Sequence, residues 1–356
     1  MGLTRRSLLL ASVGSISMNS AVSGVLTVYV GTRTREGRSE GIHRLRFDSK
    51  KGTLSDVALV SKTIDPSFLA IRGKFLYSVV AAAEGRVRAF AVQADGGLLL
   101  LNEVSSLGAG PAHVQIDRTG HWASSANYIN GSVAVYRIER DGRLSEAVES
   151  IQHVGKSVHP ERQTGPHAHS SYFSADNKLL FVADLGLDEV KVYAFDAMTG
   201  KLRAQKSLET PKGAGPRHLA LGRKRIYVLN ELSSSVSVFE NGVLLETVSA
   251  LPDGFKGEST AAEIILDANG KYLYASNRGA DTIAIFRVGA KLKKIADVNV
   301  GRGPRNYVLS PDGNFMLVAS QIDDTVQSYR VGEGTLTAVG DAVKVGSPIC
   351  LRFLTA

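Results

Sequence analysis

The chain contains one cysteine, Cys350, and its lysines and arginines form no runs although the net charge is +8. A single cysteine excludes an intramolecular disulfide and a metal site built from several thiolates, and we expect Cys350 to pack in the core. Past the first twenty residues no apolar run approaches the length of a membrane-spanning helix. These features predict neither a nucleic-acid partner nor a membrane partner after the N-terminal segment, while the positive charge favours anionic partners in general.

The composition is that of a protein with a full hydrophobic core. The 356 residues are 44% apolar, which is enough to bury a core of ordinary size. Glycine occurs 36 times, a modest excess that indicates many tight turns.

Residues 1–23 have the pattern of an export signal. Arg5 and Arg6 precede about a dozen mildly apolar residues, and Ala21-Val22-Ser23 offers a small-x-small cleavage site. Thr4-Arg-Arg-Ser-Leu-Leu9 resembles the twin-arginine signal, which directs folded proteins across the bacterial inner membrane. We therefore expect a periplasmic protein that begins near residue 24; the alternative is a cytoplasmic protein whose frayed N-terminus contains two arginines by chance.

The rest of the chain repeats one unit. Short alternating apolar and polar runs, each leading into a turn, end in an aromatic residue at Phe47, Phe90, Tyr136, Phe195, Phe239, Phe286 and Tyr329. These aromatics are separated by 43, 46, 59, 44, 47 and 43 residues. Two further strand-like runs precede each of the later ones, as in Pro216–Leu221 followed by Ile226–Asn230. Four strands per unit with no helical period predict an all-β protein made of propeller blades.

The two chain ends predict how the blades close into a ring. Residues 347–354 repeat the first strand of a unit and then stop, whereas residues 25–32 repeat the second strand without a first. One blade completed by both termini leaves no exposed sheet edge, which a linear β-solenoid, the alternative, would not require. We therefore predict a single seven-bladed β-propeller domain over residues 24–356.

Propeller geometry brings two sets of polar residues to one mouth of the central channel. The start of the first strand and the end of the antiparallel second strand lie at the same end of a blade. The starts of the first strands carry His113, His167, His169, Arg217, His218, Glu263 and Arg305. The ends of the second strands carry Asn127, Tyr128, Asp184, Asn230, Glu231, Asn277, Arg278 and Gln321. A concave mouth with convergent polar groups predicts a ligand site.

Four motifs at this mouth resemble those of a known family. They are Gly165-Pro-His-Ala-His169, Gly215-Pro-Arg-His-Leu219, Val228-Leu-Asn-Glu-Leu232 and Ala275-Ser-Asn-Arg-Gly279. In this order they resemble the seven-bladed propeller lactonases, which include bacterial 6-phosphogluconolactonase and fungal carboxy-cis,cis-muconate cyclase. The resemblance covers essentially the whole chain after the signal. Ser320-Gln321 stands where the family more often has Asn-Gln, a mild departure.

The resemblance implies a catalytic set. In the cyclase branch a histidine, two arginines and a glutamate form the proposed site, and by motif these correspond to His167 or His169, Arg217, Arg278 and Glu231. The motif does not choose between the two histidines. The other residues at the mouth are then expected to bind the substrate: His113, Asn127, Asp184, His218, Asn230, Glu263, Asn277, Arg305 and Gln321.

These residue types suit the opening of a lactone by water. Histidine can deprotonate water near neutral pH, and arginine can stabilise the resulting oxyanion or hold an anionic group of the substrate. Glu231 would orient the histidine or protonate the leaving alkoxide. The sequence has no Gly-x-Ser-x-Gly elbow, which disfavours a serine hydrolase. We expect a monomeric lactonase without cofactor or metal, acting on a small anionic or sugar lactone.

Other interpretations stay open at this point. The same face would serve a muconate-type cycloisomerase, or a non-catalytic propeller that binds a partner. His113 and His218 could be structural, and Arg217, Glu231 and Arg278 could form ion pairs between blades. Asp184 could be only a turn residue, and His167 with His169 has the spacing of a metal-binding pair on a strand.

Overall fold

The computed structural model describes residues 24–35 and 37–354. The predicted export signal over residues 1–23 lies outside this part of the chain. The described residues form 29 β-strands and no helix. Accordingly, they include no helix with the length and apolar character that crossing a bilayer requires.

The strands form seven antiparallel sheets arranged as blades. In chain order the strands are β1 (Val25–Thr32), β2 (Gly41–Asp48), β3 (Leu54–Lys62), β4 (Leu69–Arg72), β5 (Phe75–Val80), β6 (Arg86–Val92), β7 (Leu98–Ser105), β8 (Pro111–Ile116), β9 (Trp122–Asn127), β10 (Ser132–Ile138), β11 (Leu144–Gln152), β12 (Ala168–Phe173), β13 (Leu179–Asp184), β14 (Glu189–Phe195), β15 (Leu202–Ala204), β16 (Leu208–Glu209), β17 (Pro216–Leu221), β18 (Arg225–Asn230), β19 (Ser235–Glu240), β20 (Val243–Ser249), β21 (Thr260–Leu266), β22 (Tyr272–Arg278), β23 (Thr282–Arg287), β24 (Lys293–Asn299), β25 (Pro304–Leu309), β26 (Phe315–Ser320), β27 (Thr325–Gly332), β28 (Thr335–Lys344) and β29 (Pro348–Phe353). Six sheets follow the chain in steps of four strands, except that the outermost strand of the fourth blade is split into β15 and β16.

Burial along each blade follows from the stacking of sheets around a ring. The second strands are buried on both faces, as in β26, because the neighbouring blades cover them. The outermost strands, such as β3, expose alternate residues to solvent. The core therefore lies between blades. At the junction of the first and seventh blades, the ring of Phe47 packs edge-on against Phe315 and Phe353 at centroid distances of 5.5 and 5.4 Å.

Both chain ends share one blade, which confirms the predicted closure. The sheet order is β29-β1-β2-β3, so the C-terminal strand is innermost and the N-terminal strand lies beside it. The pairing is antiparallel, with Val28 opposite Phe353 and Val30 opposite Leu351. Pairing the two ends completes this blade and closes the ring of blades.

The closing strand is expected to carry a large share of the stability. Leu351 of β29 is fully buried in a cluster that includes Val28, Val30 and Phe315. The substitution Leu351→Ala removes buried methyl groups and leaves a cavity, which should lower the free energy of unfolding by about 2–5 kcal/mol. Thermal unfolding should show a clear fall in Tm, whereas Leu99→Ala, at a 56% exposed position, should leave Tm nearly unchanged. Equal Tm values for both variants would contradict a closing role for β29.

Irregularities in the innermost strands turn consecutive side chains toward the central channel. In six of the seven blades the register between the first and second strands shifts near the start of the first strand. A β-bulge adds one unpaired residue and re-aims its side chain. The bulges place two successive positions in the channel, which we call the upper and the lower positions. The upper residues that line a cavity are Ala112, His169, Arg217, Arg305 and Ile349, and the lower residues that do so are His113, His218, Glu263 and Asn306, whereas Cys350 packs in the hydrophobic core as expected.

Candidate active site

A cavity of about 340 Å³ opens at the end of the channel where the first strands begin. This volume is in the range of small-molecule sites, about 300–1,000 Å³. We call it the axial cavity. Its wall contains the sequence candidates His169, Arg217, Glu231, Arg278 and Arg305, together with Arg33, Arg35, Asp65, Tyr128 and Arg162.

Three guanidinium groups converge on the buried carboxylate of Glu231. Its Oε1 accepts a hydrogen bond from Nη2 of Arg162 at 2.7 Å. Its Oε2 lies 2.8 Å from Nη1 of Arg217 and 3.3 Å from Nη2 of Arg278. Burial alone would raise the pKa of Glu231, but Arg278, Arg217 and Arg162 hold that pKa far below its usual value. Because the group stays ionised, it is suited to positioning the arginines and not to donating a proton.

The local sequence explains how Arg217 reaches this place. Gly215 has a φ of 68°, a left-handed conformation in which a Cβ would also lie 2.6 Å from Leu232. Pro216 then starts β17, and the bulge turns Arg217 toward the channel. Nε of Arg217 donates to the carbonyl oxygen of Ala262 at 2.7 Å, which ties the side chain to the next blade. Two ends of the guanidinium are thus fixed, and the plane of the group is set before any substrate binds.

Arg162 was missed by the reasoning from sequence. It lies in the segment between β11 and β12, where the repeat spacing rises to 59 residues. The buried Gln163 next to it donates to the carbonyl oxygen of Leu185 at 2.8 Å and to Asp188 at 2.7 Å. These bonds hold the insertion over the mouth, and Nη2 of Arg162 also contacts the hydroxyl of Tyr128 at 2.9 Å. The long spacing was the signal that pointed to an inserted segment at the site.

His169 faces the cavity as a neutral ring. Its Nε2 accepts a hydrogen bond from Nη1 of Arg217. Among the described residues, no group hydrogen bonds to its buried Nδ1. Burial first, and then the charges of Arg217, His218, Arg305 and Arg278, lower the pKa of His169 well below its ordinary value. The lone pair of Nε2 is therefore engaged by Arg217, and Nδ1 carries the proton.

The wall of the axial cavity has an excess of positive charge. It contains six arginines against two carboxylates, Asp65 and Glu231. Burial, and then the charges of Arg278 and Arg217, lower the pKa of Arg305. With six arginines and two carboxylates in the wall, an anionic ligand would be bound favourably.

Several sequence candidates lie deeper in the channel. His218 and Asn306 line a cavity of about 40 Å³ directly below the axial cavity, which we call the narrow cavity. His113 and Glu263 line a further cavity of about 380 Å³ toward the other end of the inner strands. The bulges thus place His113, His218 and Glu263 below the axial cavity, although the sequence places both sets at strand starts, and Arg217 and Arg305 border the narrow cavity as well.

Most candidates at the second-strand ends stabilise the protein through hydrogen bonds within and between blades. The buried side-chain amides of three asparagines donate hydrogen bonds within the protein, with Asn127 bound to Ser106 and Ser132, Asn230 to Ser235 and Ser237, and Asn277 to Ala250 and Thr282. Asp184 accepts bonds from the backbone of His167 and Gly186 and pairs with His153. None of these four residues lines the axial cavity in the described part of the chain. Gln321 acts indirectly, because its Oε1 lies 3.4 Å from Nη1 of Arg305.

His167 stands beside the cavity wall. Its Nδ1 donates to the carbonyl oxygen of Tyr128 at 2.8 Å, and its ring stacks on that of Tyr128 at 4.7 Å. The alternative of a metal-binding pair formed by His167 and His169 assumed a regular strand, but β12 begins at Ala168 and carries its bulge at His169. Within residues 24–35 and 37–354 no cluster of three histidine, cysteine, aspartate or glutamate residues is arranged to hold a metal ion.

Comparisons with known proteins agree with this architecture. Residues 27–353 match the family described as lactonase, seven-bladed β-propeller. A 6-phosphogluconolactonase of Bacillus subtilis is 33% identical over 344 residues, which cover 92% of this chain and 97% of that protein. The solved structure of a periplasmic gluconolactonase of Pseudomonas aeruginosa is similar, with a TM-score of 0.87 and 33% identity over 93% of this chain and 99% of that one. A Lactobacillus plantarum protein has a TM-score of 0.88 and 32% identity over 93% of this chain and 100% of its own.

Proposed function

This chain belongs to the seven-bladed β-propeller lactonase family, and from that membership we propose that it hydrolyses a small sugar-derived lactone carrying a negative charge. Relatives named 6-phosphogluconolactonase and gluconolactonase support the reaction class. The observation that carries the proposal is the arrangement of Arg162, Arg217 and Arg278 on the carboxylate of Glu231 in a cavity of suitable size.

The excess positive charge supports an anionic substrate. Six arginines face two carboxylates in this wall, where Glu231 is bonded to three of the arginines and Asp65 pairs with Arg35. A phosphate or carboxylate on the lactone would accept hydrogen bonds from these guanidinium groups in the bidentate geometry that arginine favours. The neutral ring of the lactone would then be held by the remaining wall, which includes Tyr128 and Ile349.

We propose a mechanism of general base catalysis with electrostatic stabilisation. A histidine of the channel takes a proton from water, and the oxygen of that water attacks the lactone carbonyl. The carbonyl oxygen gains negative charge, which the preorganised guanidinium of Arg217 stabilises. The ring C–O bond then breaks, and the proton held by the histidine passes to the leaving alkoxide. The product is the open hydroxy acid.

A panel of lactones tests this function. We expect the purified protein to accelerate opening of D-glucono-1,5-lactone, its 6-phosphate, or an aldarate lactone above the spontaneous rate, measured by proton release. Charged lactones should have a KM that rises with ionic strength, because screening weakens their attraction to the arginines, whereas the KM of the neutral lactone should not.

Two results would contradict the proposal. If no lactone of the panel is opened faster than in buffer, the propeller is a binding protein. If the protein instead forms a lactone from a muconate-type diacid and opens none, it is a cycloisomerase that uses the same arginines. A preference for the neutral lactone would contradict only the negative charge of the substrate.

We also propose that residues 1–23 direct export and that residues 24–356 form the mature domain. The similarity to a periplasmic gluconolactonase supports this location. Changing Arg5 and Arg6 to lysines should retain the full-length chain in the cytoplasm, because the twin-arginine pathway requires the arginine pair. Cell fractionation shows in which compartment the chain lies, and the mass of the purified chain shows whether the signal has been removed. A shortened periplasmic chain in the Lys-Lys variant would contradict the twin-arginine route.

A further inference from the structure

Below the arginines, a second pair of titratable residues is joined by a hydrogen bond. Nδ1 of His218 lies 2.8 Å from Oε1 of Glu263, and both side chains are almost fully buried. Oε2 of Glu263 accepts a hydrogen bond from the amide of Asn306. The two residues come from neighbouring blades, in β17 and β21. A carboxylate so placed holds the ring in one orientation and in one tautomer.

The hydrogen bond between Glu263 and Nδ1 of His218 leaves a lone pair on the other ring nitrogen of His218, Nε2. Burial would raise the pKa of Glu263, but the nearby His218 and Arg352 hold it below its ordinary value, so the group is a carboxylate. A carboxylate only accepts hydrogen bonds, and Nδ1 of His218 must therefore donate. Nε2 of the neutral ring is then an acceptor. No group in the described part of the chain hydrogen bonds to this buried Nε2.

The ring of His218 borders a space that adjoins the axial cavity. The narrow cavity has a volume of about 40 Å³, which exceeds the roughly 10–15 Å³ that a cavity needs to hold a water molecule. Six residues are common to the walls of the narrow and the axial cavity: Ser67, Ala112, His169, Arg217, Arg305 and Ile349. A water in the narrow cavity would thus lie between His218 and a substrate bound at Arg217.

A second buried histidine–carboxylate pair shows what a structural pair looks like in this fold. Nδ1 of His153 lies 2.6 Å from Oδ2 of Asp184, and its Nε2 lies 3.0 Å from the hydroxyl of Tyr193. Both nitrogens of His153 are bonded. His218 differs because only one of its nitrogens is bonded within the described residues.

The other histidines of the channel lack this combination. His169 uses the lone pair of Nε2 to accept from Arg217. His113 accepts the backbone N–H of Ser171 at Nδ1, at 3.4 Å, so its Nε2 carries the proton. Neither has a carboxylate bonded to its ring nitrogen in the described structure. His218 is the histidine with both an orienting carboxylate and an available lone pair.

We propose that His218 is the catalytic base of this site and that Glu263 is its positioning residue. The inference rests on the proposed lactonase function. Nε2 of His218 takes a proton from the water in the narrow cavity as the oxygen of that water bonds to the lactone carbonyl carbon. Glu263 stabilises the imidazolium. When the ring C–O bond breaks, the imidazolium returns the proton to the alkoxide, so one lactone and one water give one hydroxy acid.

The surroundings set the pH range in which this base works. The groups that face His218 from the packed strands are Glu263, Arg217, Arg305, Arg352, His113, His169 and Tyr172. Burial lowers the pKa of His218 from its ordinary value, and Glu263 opposes this shift. The ring is therefore neutral at pH 7, and activity should persist below pH 6.5 until the ring is protonated.

Three variants test the proposal on the lactone that the wild type opens fastest in the panel. His218→Gln should lower kcat by about a hundredfold or more with little change in KM, since a general base contributes about 10²–10⁴-fold. Glu263→Gln should lower kcat about tenfold by the loss of orientation and charge, and it should move the acid limb of kcat/KM to lower pH, because the carboxylate no longer raises the pKa of His218. His153→Gln, the matched control, should lower Tm but keep kcat within about twofold.

The outcomes separate this inference from the proposed function. A wild type that opens no lactone refutes both. An active wild type with a folded His218→Gln variant of equal kcat refutes His218 as the base, and so does an equal loss of kcat in His153→Gln. If His218→Gln does not fold, the acid limb of the kcat/KM profile of Glu263→Gln decides. A shift of this limb to lower pH supports His218 as the base with Glu263 as its positioning residue, and an unchanged limb overturns the proposal.

Discussion

Replacing Arg217 by alanine is expected to lower kcat for lactone opening by about a hundredfold to a thousandfold, the usual loss when one preorganised donor to an oxyanion is removed. Arg217 is fixed on both sides, by the carbonyl oxygen of Ala262 at 2.7 Å and by Glu231 at 2.8 Å. Its guanidinium needs no rearrangement as charge develops on the substrate. The loss should therefore appear in kcat and in kcat/KM alike.

Two further variants show whether geometry or charge is responsible. Arg217→Lys keeps the charge but loses the planar fork, and we expect it to recover only part of the activity. Arg225→Ala removes an arginine that pairs with Glu240 at 2.8 Å, outside the wall of the axial cavity, and kcat should stay within about twofold of the wild type. Steady-state kinetics measures kcat of both variants, and Tm shows whether each variant is folded. A full recovery in Arg217→Lys would show that charge alone suffices.

Replacing Glu231 by glutamine is expected to have a large effect on stability as well as on activity. The side chain is 4% exposed, and its carboxylate is bonded to Arg162, Arg217 and Arg278. Removing one partner of a buried ionic group leaves the others uncompensated, at a cost of about 3–5 kcal/mol. The three guanidinium groups would also repel one another, so kcat/KM should fall along with Tm. The surface pair of Arg88 with Glu103 supplies the control Glu103→Gln, with an expected loss of about 0–1 kcal/mol.

The effect of Glu231→Gln should depend on pH in a defined direction. The arginines hold the pKa of Glu231 far below its value in the unfolded chain, which is about 4.3. A lowered pKa gives stability that is fully present above about pH 4.3 and is lost as pH falls toward the folded pKa. The difference in Tm between wild type and variant should therefore be largest near neutral pH and shrink in acid. A difference that grows on acidification would contradict an ionised Glu231.

The fold was predictable because propeller blades are local. Each blade is one meander of about 47 residues whose strands alternate in polarity, and the repeated aromatics at Phe90, Tyr136 and Phe239 mark its third strand. The closure of the ring of blades could also be predicted from the sequence, since residues 25–32 and 347–354 are two complementary parts of one unit. Such patterns depend on neighbours along the chain, which the sequence orders directly.

The site was predictable only in part. Ring closure brings Arg217, Glu231 and Arg278 to one mouth, as expected from their places at strand ends. Arg162 was not expected, because an inserted segment has no repeat to align with, and its position depends on the buried Gln163 and Asp188.

The sequence by itself determined the strands, their number per blade and the end of the blade at which the polar residues lie, since all of these follow from alternation and repeat length. Only the tertiary structure decided the depth of each side chain in the channel. A bulge such as that at Arg217 places two consecutive residues in the same channel, Arg217 above and His218 below. A regular strand would have turned them to opposite faces, and nothing in the period of the sequence distinguishes the two cases.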